Sequence, residues 1–295
     1  MKLRPIDVQH LNTKASSLKA VLTTIEPFAT SAFALVVSAV LPLAIPFTIT
    51  FVATRYRQIN NLIHWASHRS LCNSKSVNDT LGKFLCAAIF CDFSEYRKEH
   101  YSHHLHVGDY VNDGDFSKLK DFKIHESIGA TSRIGNIFRI RRLLEAYAPK
   151  LGFRTKSQGI GTLSYLAIIL LLIAFGLFHV AFSLLFSTFF LYPLIRHLTD
   201  LVDHGGIYEE ATNNSRNFII NDSFSRWLFF PSNDCFHEIH HRFPAISHGS
   251  QEAVHKYLMQ NEASYADRTH YWYQHLDNAL SKQVFTNLLT KRHEN

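Results

Sequence analysis

Three short segments carry residues able to do chemistry together. They are His64-Trp65-Ala66-Ser67-His68, His100-Tyr101-Ser102-His103-His104 and His237-Glu238-Ile239-His240-His241. On a helix, residues three and four apart share a face, so each segment aims its imidazoles one way. Two of the three follow an H-x-x-H-H pattern. With 19 His in 295 residues, chance supplies roughly 0.08 such matches per chain, so accident is a poor explanation. Imidazole suits zinc, copper, iron and nickel, so the residue type alone does not name the metal. The count narrows the choice. A single zinc ion takes three or four protein ligands, whereas these eight imply two neighbouring ions with room for an exogenous ligand. Redox-active iron in that setting binds dioxygen and attacks an unreactive C–H bond.

The elements that must position these residues are apolar. Hydrophobic residues make up 46% of the chain, including 24 Phe, and the formal charge is +6. The 30 Lys and Arg form no nucleic-acid motif or aromatic-interleaved patch, so nucleic acid is not expected as a partner. The four Cys show no metal or disulfide spacing and fit a reducing compartment. The basic start Met1–Pro5 runs into polar sequence, which argues against a cleaved signal peptide.

From Pro27 to Thr54 no residue is charged, and from Ile160 to Ile195 there are 36 residues without Lys, Arg, Asp or Glu. As one helix the second run would be roughly 54 Å long, against a bilayer core of about 30 Å, so it reads as two spans turning near Gly176–His179. The first run, interrupted by Pro42 and Pro46, reads as a hairpin with its tip near Leu41-Pro42. The expected fold is an all-α integral membrane protein, four transmembrane helices in two hairpins (about 22–62 and 160–195) under a cytoplasmic helical cap. Residues 1–20 form a lead-in, 21–250 the membrane domain and 251–295 a cytoplasmic tail. Residues 78–93 suit an interfacial helix. Two hairpins return the chain to one side, so all three histidine segments share a compartment. Seventeen Lys and Arg lie between Arg55 and Lys156, nine follow Ile195, and none stands at either tip, which marks that side as cytoplasmic.

The three segments, in this order around membrane hairpins, resemble the histidine boxes of the membrane fatty acid desaturases and their relatives, the alkane hydroxylases and carotenoid ketolases. Asn78-Asp79, Leu81-Gly82, Asp113-Gly114-Asp115, Asn233 and Pro244 extend the similarity, which covers roughly residues 50–250. Trp65 stands where relatives often carry an acidic residue. The resemblance implies a ninth ligand, His204 in Asp203-His204, and a non-haem diiron site using dioxygen. It implies desaturation of a long acyl chain taken from the bilayer, in a bacterial inner membrane or the endoplasmic reticulum. No fused redox domain is visible, so electrons are expected from a separate ferredoxin or cytochrome. The alternatives are a hydroxylase or ketolase with the same ligands, or a histidine-rich metal transporter. A transporter would place its ligands within broken spans, whereas every box lies in polar sequence.

Other histidines read more plainly. His10, His125, His255, His270, His275 and His293 are expected to be solvated or satisfied by packing, and His179 to be interfacial at a hairpin tip. His106 and His197 lie near the boxes and compete for ligand or supporting roles. Asp200, Asp203 and Glu238 have two readings of equal weight, orienting imidazoles by accepting their second N–H or lying on a solvated face. The stripe Phe182, Phe186, Phe189 and Phe190 suits lipid contact better than a substrate channel.

Overall fold

The structure is a computed structural model and describes residues 4–126, 130–204, 214–220, 222–266 and 269–271. His275 and His293 lie outside the described residues, as do the side chains of His125 and His270.

Helix α1 (Ser17–Val40) starts where the Ser16 hydroxyl accepts the Lys19 N–H, and it packs on α2 (Ile45–Ser67) through the tight turn Pro42–Ala44. Leu22, Phe33, Val36 and Val40 of α1 stay exposed, an outward apolar face suited to lipid. Helix α2 is the opposite. From Val52 to Ser67 nearly every residue is buried, including Arg55, Arg57, Gln58, Asn60, Asn61 and His64. It is the central post of the molecule, with its apolar end beside α1 and its polar end beneath the histidines.

Helix α3 (Lys75–Ala88) crosses both α2 and the later helix α8. Asn78 fixes its start by accepting the Leu71 N–H and donating to the Cys72 carbonyl at 2.8 Å. Asp79 binds Arg69 and Arg97, which ties α3 to α4 (Phe93–Leu105). Asp92 caps α4 and Asp113 caps α5 (Gly114–Lys120). Helices α6 (Ala130–Ile137) and α7 (Ile140–Tyr147) complete this polar segment.

Helix α8 (Lys156–Ala174) ends in a Schellman turn. Leu177 N–H reaches the Leu172 carbonyl, Gly176 N–H reaches Ile173, and Gly176 takes a φ of 74°, which glycine adopts at least cost. Helix α9 (Phe178–His204) follows at once, with a π-helical turn at Ser187–Leu191. Polar side chains join these helices across apolar contacts. Ser187 donates to the Ile49 carbonyl at 2.9 Å, Thr48 to Ala34 at 3.1 Å, and His179 to Ser38 at 3.2 Å. Helices α10 (Ser223–Phe229), α11 (His237–Arg242) and α12 (Gln251–Asn261) follow.

Among the described residues, three helices are long and apolar enough to cross a membrane: α1, α8 and α9. Helix α2 has 23 residues, but its buried polar half lowers its hydropathy. The N-terminal segment packs against the histidine-bearing end of the chain. Val8 is fully buried with Cys235, Phe236 and Ile239, and the Thr13 N–H is held by Ser250 at 2.8 Å.

Candidate metal centre

Each box sits at a helix end. His64 lies on the last turn of α2 and His68 caps it; His100, His103 and His104 share the second half of α4; His237, His240 and His241 occupy α11. His204 is the final residue of α9. The four helix ends converge, and the nine imidazoles sort into two groups. His64, His68, His100, His104 and His240 form one, and His103, His204, His237 and His241 the other, with the ligand atoms of each within 4.8 Å of one another. Sorting does not follow the boxes: the second and third each send residues to both groups.

The spacing fits metal ions. Nε2–Nε2 separations are 2.7 Å for His64–His240, His68–His100 and His204–His237, 2.8 Å for His104–His240, and 3.0 Å for His100–His104 and His237–His241. At metal–nitrogen bonds of about 2.1 Å, ligands at right angles stand about 3.0 Å apart. Shared protons serve this arrangement poorly. The His104 Nε2 faces both His100 and His240, and the latter also faces His64, while a neutral ring has a single N–H.

Electrostatics agree for the rings away from Asp113; at His103 the lowering by burial is outweighed by the hydrogen bond to Asp113, and the ring is raised. Burial, then Arg97, depresses His68 to about 3; burial, then neighbouring imidazoles, depresses His104 to about 2. His100, His237, His240 and His241 are driven well below the ordinary value for the same reasons. Neutral imidazole is the form that binds a metal.

The groups behind the rings differ from those expected. His103 Nδ1 donates to Asp113 at 2.9 Å, and His204 Nδ1 to the Asn214 carbonyl at 2.6 Å. Asp203 stands 3.7 Å from His237 Nδ1, near but beyond hydrogen-bond length. Glu238 instead accepts from Asn217 and faces Arg242 at 3.5 Å, while Asp200 lies in the electrostatic surroundings of Arg196 and Tyr147. His197 is outside both groups; it stacks on Phe122 and donates to the Ile137 carbonyl. His106 is exposed at the end of α4. His255 is buried against the Tyr265 hydroxyl, and His10 packs edge-on against Tyr257.

One supporting feature carries no local pattern. Arg57, Asn61 and Trp65, one turn apart on α2, all bind the segment before α11. Arg57 pairs with Asp234, Asn61 donates to the Pro231 carbonyl at 2.9 Å, and Trp65 donates to Ser232 at 3.1 Å. That segment holds Ser232 and Asn233 at φ of 62° and 61°. Trp65 also stacks on His64 with centroids 5.2 Å apart, so it packs against the ring as well as anchoring the segment.

Nine imidazoles on four helix ends, in two adjacent groups, define a class: a helical membrane protein with a histidine-built site able to hold metal. The model of the fatty acid desaturase family matches residues 39–275, and the chain belongs to that family. Membership makes it an oxidoreductase of the desaturase-like superfamily. A search of curated proteins finds no match to the chain.

Proposed function

We propose that the protein is a membrane-bound, dioxygen-dependent desaturase that introduces a double bond into a long acyl chain. The observation that carries this reading is the pair of imidazole groups, each with its ligand atoms within 4.8 Å, in a chain of the fatty acid desaturase family. His64, His68, His100, His104 and His240 would hold one iron; His103, His204, His237 and His241 would hold the other. Two irons, when bound, supply dioxygen activation and the removal of hydrogen from unactivated carbon. The overall change takes two hydrogens from adjacent carbons, reduces dioxygen to two waters, and consumes two electrons and two protons. A separate ferredoxin or cytochrome supplies the electrons.

The chain's own residues do the rest. Asp113 and the Asn214 carbonyl fix the tautomers of His103 and His204, leaving each Nε2 lone pair free for metal. The helices packed around α2 keep bulk water from the reacting carbons and hold the chain in register. In this reading α1 with α2 and α8 with α9 form two membrane hairpins, and the histidines lie on the cytoplasmic side.

The test is expression in a host lacking the activity, with mass spectrometry of its lipids and metal analysis of the purified protein. Loss of two hydrogens with about two irons per chain is expected. A gain of oxygen would move the assignment to a hydroxylase or ketolase. Stoichiometric zinc without iron, from cells supplied with iron, would overturn the diiron reading.

A further inference from the structure

A cavity of about 250 Å3 reaches the metal centre from the side, with His100 in its wall. It lies between the α3–α4 turn, the end of α7 and the start of α8. Its volume equals roughly eight water molecules, too little for a whole long chain but enough for one end of it.

Three hydrogen-bond donors border this cavity. Asn60 is 4% exposed; its Oδ1 accepts from Arg57, but its Nδ2 has no partner. Tyr147 is 3% exposed, and its hydroxyl has no partner either. Arg196 lines the same space with its guanidinium 5.7 Å from the Tyr147 ring, and among the described residues no carboxylate lies within ion-pair distance of it. Buried donors without acceptors, here Asn60 Nδ2 and the Tyr147 hydroxyl, cost stability, so their convergence beside Arg196 marks a place built for an acceptor. Of the acids nearby, Asp200 lies in the electrostatic surroundings of Arg196 and Tyr147 without forming an ion pair, and the others are occupied elsewhere. Asp115 pairs with Lys118 at 2.9 Å, Glu95 with Arg154, and Asp92 accepts from the first turn of α4. Glu99 is at the exposed rim.

We propose that this cavity is a head-group subsite in which Arg196, Asn60 and Tyr147 hold a carboxylate of the substrate beside the metal centre. The amphiphile then enters head first and is oxidised at carbons near its head rather than in mid-chain. A carboxylate fits because all three groups donate and because the planar guanidinium matches two acceptor oxygens. An alcohol or amide would bring a hydrogen of its own and find no free acceptor among these three. The proposal deepens the reading given above and rests on the nine histidines being the oxidising centre.

The experiment is calorimetric titration of the detergent-purified, iron-loaded full chain with octanoate, methyl octanoate and octanol. Octanoate is expected to bind about ten-fold tighter than the other two. Arg196→Gln should abolish that preference at unchanged iron content. The Tyr147 hydroxyl closes no hydrogen bond although Asp200 stands near it, so Tyr147→Phe should weaken octanoate a few-fold without lowering Tm. If Arg196→Gln does not fold, the wild-type comparison and Tyr147→Phe decide the matter. Equal affinity for octanoate and its methyl ester in the wild type would overturn the proposal, as would an unchanged octanoate affinity in Tyr147→Phe. Binding requires no turnover, so the two readings fail separately. A chain without iron that still prefers octanoate disproves only the diiron assignment; a chain with two irons and no preference disproves only the subsite.

Discussion

Asp113 serves two structures with one side chain. Its carboxylate takes the Nδ1–H of His103 and also the Asp115, Phe116 and Gly108 backbone N–H groups, so the start of α5 and one imidazole are fixed together. Asn in its place can still cap the helix but is a weaker acceptor for the ring. Asp113→Asn should therefore keep the fold and lower metal affinity about 10–100-fold, measured by chelator competition. The same buried rings make stability depend on pH. His68 and His104 titrate at about 3 and about 2 in the folded chain, against about 6.5 when unfolded. Between those values only the unfolded chain takes the protons, so stability present above pH 6.5 is lost as pH falls. Metal-stripped protein should show a lower Tm at pH 5.5 than at pH 7.5, and a His68→Gln, His104→Gln double variant a smaller decline. An equal decline in both proteins would show that other groups carry the effect.

At the scale of the element, α2 does most of the positioning. Ser232 and Asn233 are non-glycine residues in the left-handed region, a conformation costing about 1–3 kcal/mol each, and the Arg57, Asn61 and Trp65 contacts hold them there. Asn61→Leu orphans the Pro231 carbonyl. It should cost about 1–3 kcal/mol in chemical unfolding and reduce bound metal, because α11 carries ligands of both groups. A second contact is steric. A Cβ on Gly161 would stand 1.8 Å from the Ala87 carbonyl oxygen, so α3 and α8 cross with no room for a side chain. Gly161→Val should lower Tm by several degrees, roughly the effect of 1–3 kcal/mol of overpacking. These contacts mark the limit of what the sequence discloses. The boxes were legible because ligand spacing within a helix is local, and the Gly176 turn because it interrupts a long apolar run. The division of ligands between two groups was not legible, since it depends on how four helix ends cross. Nor were Asp113 and the Asn214 carbonyl as orienting groups, because each reaches ten residues along the chain to a ring whose own segment does not name its partner.

At the scale of the whole molecule, the question is where a bilayer would sit. Helices α1, α8 and α9 carry enough apolar surface to cross one, and the two turns at Pro42–Ala44 and Gly176-Leu177 are brought together by the His179 bond to Ser38. All nine clustered histidines belong to the opposite ends of the helices that leave these turns or to the polar segments that follow. Exposed apolar residues follow the same division: Val40, Leu43 and Phe47 surround one turn, and Phe175 and Phe178 the other. Helix α2 then runs inward from this apolar end, and its buried Arg55 is neutralised by Glu26 at 3.5 Å and covered by the Trp227 ring at 4.1 Å. A charge so enclosed can reside near the membrane boundary without facing lipid. The expected topology is that both turns face one side of the membrane while Tyr110 and Ser223 face the other. Single cysteines at positions 41, 110, 177 and 223, all at least partly exposed, on a background with Cys72, Cys86, Cys91 and Cys235 replaced, can be labelled in sealed vesicles with an impermeant maleimide. Positions 41 and 177 should react from one side, and 110 and 223 only from the other. If 110 and 223 react from opposite sides, the region between them crosses an odd number of times, and the two-hairpin arrangement is wrong even though the histidine site would stand.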